Sequence, residues 1–101
     1  MRDLRQHPRK SIEAEVGFEV SGGRRVEARC RDLSLGGMFI ETPAPLPYGT
    51  PVRVHLRLPD LGGEAAIEAI VRWAKPDGMG VQFGAMGARE THGLALLLGG
   101  R

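Results

Sequence analysis

The chain has 101 residues, 42% of them apolar and 26% charged, with 14 Lys and Arg against 12 Asp and Glu. That length and balance predict one globular domain with an ordinary core and exclude disorder of the whole chain. A net charge of only +2 excludes a polybasic coat for nucleic acid, and a single cysteine excludes an internal disulfide and a cysteine-built zinc site.

Residues 1–12 are expected to form a basic arm. Arg2, Arg5, Arg9 and Lys10 stand there against Asp3 alone, a local positive charge that suits an anionic partner. Pro8 removes a backbone donor and biases His7 towards extended geometry, which disfavours a helix through Arg5–Arg9. The charged N-terminus has no apolar h-region, and no stretch approaches ~20 continuous apolar residues. Neither a secretory signal nor a membrane span is expected, and the default compartment is the cytoplasm.

Residues 13–101 read as a barrel domain. Val16, Phe18 and Val20 alternate with Glu15, Gly17 and Glu19, the period of a half-buried strand. Ser21-Gly22-Gly23 is a hairpin signal, and Val26, Ala28 and Cys30 carry the return strand, which ends in Asp32-Leu33-Ser34. After Gly36-Gly37, a third short strand covers Met38 to Thr42. Residues 43–51 hold four prolines and Gly49, a loop with several fixed φ angles. Val52, Val54, Leu56 and Leu58 make the cleanest alternation. Residues 64–75 predict a long strand with Ile67, Ala69, Val71 and Trp73 on its inner face. The turn at Pro76-Asp77-Gly78 leads to a last strand marked by Val81 and Phe83. From Gly87 onward, Leu94, Leu97 and Leu98 recur at helical spacing, with Gly93 as an interruption. The expected fold is therefore all-β: a six-stranded antiparallel β-barrel whose short C-terminal helix plugs one open end.

His7, His55 and His92 stand at no metal-ligand spacing, so no metal site is expected. His55, between Arg53 and Arg57, reads as part of a solvated face. A hydrolase could be drawn from Ser34, Asp32 and a histidine, but no G-x-S-x-G elbow is present and a barrel this small leaves little room for a cleft. The chain is expected not to be an enzyme. Gly78-Met79-Gly80 lies between two strands, so it offers no helix N-terminal amides to a phosphate and reads as a hairpin.

Two polar constellations remain. Arg5 and Arg9 form an R-x-x-x-R pair, and spaced guanidiniums can clamp phosphates and stack on purines. Alone, the pair reads more simply as a solvated basic tail. Asp32-Leu33-Ser34-Leu35-Gly36-Gly37 is a D-x-S-x-x-G corner. A carboxylate suits the two donors on guanine's Watson–Crick edge, and glycine permits φ > 0 and close ligand approach. Alone, this corner reads equally well as an Asx- or Ser-type turn that satisfies its own backbone.

Together, the ordered pair on a six-strand pattern resembles the PilZ domain family. The Pro/Gly loop before Val52, the strand at Val71-Arg72-Trp73 and the strand at Gly80-Val81-Gln82-Phe83 look like later elements of that family, so the resemblance covers about residues 5–98. It implies a bacterial second-messenger receptor that binds cyclic di-GMP and needs no cofactor. Arg5 and Arg9 would hold phosphates and guanines, Asp32 and Ser34 a guanine, and Gly37 would shape the corner. Leu4, Lys10, Gly36 and Gly80 would be secondary contacts. Leu4 supplies no further guanidinium before Arg5, which favours one ligand molecule per chain. The expected mechanism is an arm, mobile when free, that folds over the barrel around the ligand and alters the adjacent surface for a downstream protein partner.

Two alternatives are kept. One is a protein-interaction barrel that does not bind the nucleotide. The other is an oligonucleotide-binding barrel, which is disfavoured because Phe18, Phe39, Trp73 and Phe83 are expected in the core, leaving few aromatics for base stacking. No nucleic-acid polymer is therefore expected as a partner.

Overall fold

The computed structural model describes residues 10–20, 22–58 and 63–99, and the side chains of all of these except 10–13. Among the described residues, the order is β1 (Lys10–Glu19), β2 (Val26–Leu33), β3 (Gly37–Glu41), β4 (Pro51–Leu58), β5 (Gly63–Lys75), β6 (Gly78–Phe83) and α1 (Ala88–Leu97). Every pairing is antiparallel, in the order β1-β2-β3-β6-β5-β4, and β1 pairs with β4 to close the barrel. Where β1 and β4 pair, over Val16–Glu19 and Arg53–Leu56, closure shields the strand edges from another chain. β1 starts at Lys10, within the stretch read as an arm.

Alternation builds the core. In β4, Val52, Val54, Leu56 and Leu58 are buried while Pro51, Arg53 and Arg57 are exposed. In β5, Ala65, Ile67, Ala69 and Val71 do the same. Val16, Phe18, Cys30, Leu33, Met38, Ile40, Met79, Val81 and Phe83 complete the interior. Each fully buried Val, Leu or Phe contributes ~1.5–3 kcal/mol of transfer free energy, so the closed interior is what holds the six strands together.

At three places the alternation slips. One extra residue stands in β1 between Ser11 and Ala14, one in β2 between Cys30 and Asp32, and one in β5 between Val71 and Trp73. Each is a bulge, which re-aims every side chain beyond it. In β2, strict alternation would send Asp32 inwards after Ala28 and Cys30. The bulge at Arg31 sends Leu33 into the core instead and leaves Asp32 outside and half-buried.

The helix seats Leu94 in the barrel mouth, with Leu97 and Leu98 packed against the core. Gly93 does not interrupt it. Gly93 is buried beside Leu94 inside a continuous helix, so the helix tolerates a residue that exposed positions would penalise by ~1 kcal/mol. At the C-terminal end, Gly99 takes φ 86° and its N–H donates to the Leu96 carbonyl at 3.0 Å, which satisfies an orphan acceptor of the last turn.

On the outside of β1, β4 and β5, charges are paired. Arg25 donates to both oxygens of Glu64 at 2.9 and 2.7 Å and to Glu27 at 2.6 Å. Its side chain lies over Gly17, where a Cβ would meet the guanidinium. Arg53 pairs with Glu68 at 2.7 Å. His55 is not the solvated residue expected from its arginine neighbours. Its ring lies 2.8 Å from Glu19, and its side chain is only 17% exposed. The pairing of β1 with β4 sets Gly17 opposite His55 and Glu19 opposite Arg53, which brings Glu19 within reach of the imidazole.

Candidate functional site

The corner between β2 and β3 is a tight, self-satisfied turn. Ser34 N–H donates to the Gly37 carbonyl at 2.9 Å, and Gly36 N–H donates to Ser34 Oγ at 3.1 Å. Ser34 is only 7% exposed, and its hydroxyl also lies 3.5 Å from the Gly37 carbonyl. Its hydrogen bonds therefore hold the corner's backbone in place. Phe83 N–H donates to the Gly36 carbonyl at 2.8 Å, tying the corner to β6.

The positive φ expected of Gly37 does not occur. Gly37 is absent from the left-handed φ region occupied by Gly22, Gly49 and Gly99. A Cβ there would instead run into the Val81 carbonyl on β6. The requirement is close backbone approach between β3 and β6.

From Asp32 a row of residues runs across the outer face. Asp32 stands opposite Phe39, Phe39 opposite Gly80, and Gly80 opposite Trp73. Ser11 on β1 continues the row on the other side of Asp32. The β5 bulge turns Trp73 out of the barrel, where strict alternation would have placed it in the core. It is 39% exposed. Phe39 is fully buried, yet it too points outwards and lies apart from the interior cluster. The two rings stack at 5.3 Å between centroids and 25° between planes.

Glycines make that stack sterically feasible. Phe39 and Trp73 sit on strands separated by β6, and a Cβ on Gly80 would stand inside the Trp73 indole. A Cβ on Gly78 would strike the Phe39 ring and the Ile40 carbonyl. The expectation of a buried ring holds for Phe18, Phe39 and Phe83 and fails for Trp73, which the bulge and this glycine floor bring to the surface, so Trp73 joins Tyr48 as an aromatic open to stacking. Alternation gave no signal of it. The nearest signals are the repeated glycines of Gly78-Met79-Gly80 and the adjacent Arg72-Trp73.

Cations rim the stack. The Arg31 guanidinium lies 4.5 Å from the Phe39 centroid and bonds Glu41 at 3.0 Å, with Asp77 at 3.9 Å. Lys75 Nζ is 5.4 Å from the Trp73 centroid. Such contacts set cations against the two rings. Behind it, Cys30 is fully buried, and desolvation, aided by the charge of Asp32, pushes its thiol up to about 12. It is thus an unreactive core residue.

Of the residues singled out in the sequence, Asp32, Ser34, Gly36, Gly37 and Gly80 are brought together on this side of the barrel. Leu4, Arg5 and Arg9 lie outside the described residues. Lys10 is described in its backbone only, opposite Leu33 at the start of β1. Among the described residues, no group of three or more His, Cys, Asp and Glu is placed to hold a metal ion. Also among them, no helix is long and apolar enough to cross a membrane.

Solved structures resemble this fold. MotI/DgrA, the inhibitor of motility of Bacillus subtilis, superposes with a TM-score of 0.75 at 20% identity, over 95% of this chain and 50% of its own. This chain therefore spans about half of that protein's length. The PilZ domain of CeSA from a cellulose-synthesizing bacterium gives 0.71 at 23% identity, over 91% and 96% of the two chains. The PilZ domain of YcgR from Escherichia coli, solved with c-di-GMP, gives 0.72 at 18% identity, over 94% and 88%. No curated protein matches the sequence. The PilZ domain profile matches residues 3–98, nearly the full length, and the chain belongs to the PilZ domain family.

Proposed function

We propose that this chain is a non-enzymatic receptor for cyclic di-GMP, which it binds on the outer face between the D-x-S-x-x-G corner and Trp73. PilZ domains form a family of cyclic di-GMP receptors, and neighbours of this fold have been solved with that ligand. The observation that carries the reading is the row Asp32–Phe39–Gly80–Trp73. It sets a carboxylate acceptor and an exposed indole on one surface, about three strand spacings, or ~14 Å, apart. Asp32 accepts from the N1 and N2 donors of one guanine, and the indole offers a stacking surface. Ser34 and Gly37 keep the corner in position beneath them.

The arm supplies the phosphate contacts. Lys10 begins β1 opposite Leu33, the neighbour of Asp32. Arg9 is one peptide bond away, and Arg5 is five residues from Lys10, a reach of at most ~18 Å. Both guanidiniums can therefore arrive over the row. Ordering a segment costs ~1–2 kcal/mol per residue, whereas each charge-assisted hydrogen bond contributes ~1.5–3 kcal/mol. Base stacking and the Asp32 contact supply the balance. The signal leaves as a changed surface where the arm closes.

Titration calorimetry with cyclic di-GMP, paired with a thermal-shift scan, tests this. We expect saturable binding of one ligand per chain and a rise in melting temperature, since a ligand specific for the native state must stabilise it. No heat and no shift at high ligand would instead identify a protein-interaction barrel that does not take the nucleotide.

A further inference from the structure

One row beyond Trp73 on the outside of β5, Ile70 is 42% exposed. It stands opposite Pro51 on β4 and Gln82 on β6, and Gln82 stands opposite Gly37 of the corner. With Glu68 and Arg72, these side chains line an open cleft of about 500 Å³. Tyr48, 69% exposed, rises beside it. Its loop is fastened to β5: Gly49 N–H donates to the Val71 carbonyl at 2.7 Å, and Val71 N–H donates to the Thr50 carbonyl at 3.0 Å. Arg72, the extra residue of the bulge, holds its guanidinium 5.8 Å from the Tyr48 centroid.

The charges around the cleft are unequal. Glu68 is neutralised by Arg53 at 2.7 Å. Arg72 has no carboxylate partner among the described residues. The cleft therefore combines an apolar floor with a cation that no carboxylate compensates among the described residues, and an exposed tyrosine on a fastened loop stands beside it. None of the three packs into the interior. Tyr and Arg are the residue types that dominate interface hot spots, and a tyrosine on a pinned loop loses little entropy on docking.

We propose that this cleft docks a partner protein through an exposed segment that carries an apolar side chain flanked by carboxylates. The apolar side chain lies on Ile70 and Pro51, a carboxylate meets Arg72, and Tyr48, beside Arg72, extends the contact past the cleft's edge. A polyanion would use Arg72 and leave Ile70 idle, whereas an acidic and apolar segment uses both. The link to the ligand rests on the function proposed above. Because Gln82 stands opposite Gly37 of the corner, a ligand seated at the corner borders the cleft, and cyclic di-GMP alters docking.

Fluorescence anisotropy on the full chain, with and without cyclic di-GMP, tests the proposal with three labelled eight-residue peptides that alternate leucine with glutamate, glutamine or lysine. The glutamate peptide should bind at least ~10-fold more tightly than the lysine peptide, because a desolvated charge contact contributes ~1.5–3 kcal/mol. Ile70→Asp should weaken it by a similar factor, and Arg72→Glu should reverse the preference towards lysine. Tyr48→Ala, on the loop, gives the same reading if Ile70→Asp does not fold. Equal binding of the glutamate and lysine peptides, no binding of either, or indifference to both Ile70→Asp and Tyr48→Ala would overturn the proposal. So would self-association in sedimentation that Ile70→Asp abolishes, since the occupant would then be a second copy of the chain. Peptide binding that persists in a chain blind to cyclic di-GMP would sink the receptor reading and leave the docking surface standing.

Discussion

On the face formed by β1, β4 and the first half of β5, charges answer one another. Arg25 spans Glu27 and Glu64, Arg53 meets Glu68, and His55 meets Glu19. On the face formed by β2, β3, β6 and the second half of β5, two glycines lie beneath a pair of stacked rings, with a carboxylate at the end of the same row. The first face spends its polar groups on itself. The second keeps an indole open and places Asp32 at the margin of the stack. A barrel needs the same core under both, so what distinguishes the second face is the open aromatic surface that it alone presents.

The largest effect should come from the arm that we propose serves the second face. Arg5→Ala or Arg9→Ala should weaken cyclic di-GMP binding by roughly 10- to 100-fold each, the value of one or two charge-assisted contacts, while circular dichroism stays unchanged. Undiminished calorimetric affinity in both variants would remove the arm from the site and make the two faces more alike than we propose.

Next comes the row itself. Trp73→Ala should cost ~1–3 kcal/mol of binding, the range for one stacked base, with a smaller loss of stability because the ring is part-exposed. Asp32→Ala should reduce affinity for cyclic di-GMP more than for cyclic di-AMP. A wild-type chain that binds the two equally would rule out a guanine-edge role for Asp32.

Gly37→Ala sharpens the comparison from the structural side. Its Cβ meets the Val81 carbonyl, and a backbone oxygen cannot step aside as the tip of the Arg25 side chain can above Gly17. Overpacking of this kind costs ~1–3 kcal/mol, so urea denaturation should show Gly37→Ala clearly destabilised and Gly17→Ala much less affected. Equal losses would contradict the close approach of β3 and β6.

The smallest effect belongs to the self-engaged face. Hydrogen bonding to Arg25, aided by its charge, holds the Glu64 carboxyl below its ordinary range. A depressed folded-state pKa contributes stability that is present above the unfolded carboxylate pKa and is lost as pH falls through the folded one. Glu64→Gln should therefore flatten the acid limb of a melting-temperature profile slightly, as expected for a surface pair. An unchanged acid limb would show that this bridge contributes nothing to stability.

Much of this was legible in the chain. Alternation placed Val52 to Leu58 and Ile67 to Val71 correctly, because the period of a strand is local and the core rewards it at every second residue. The spacing of Asp32, Ser34 and Gly37 marked the corner, and the leucines after Gly87 marked the helix. Family membership could be read from those residues in their order.

What only the tertiary structure decided is which way Asp32 and Trp73 face. Local alternation pointed both inwards. A bulge exists between two strands and depends on register, so neither strand's own sequence declares it. The bulges at Arg31 and Arg72 turn Asp32 and Trp73 to the outside, and Gly80 between them lets Trp73 reach Phe39. The sequence by itself determined the barrel, its core and the polar corner. Pairing between strands distant in the chain turned that corner into one end of an aromatic row.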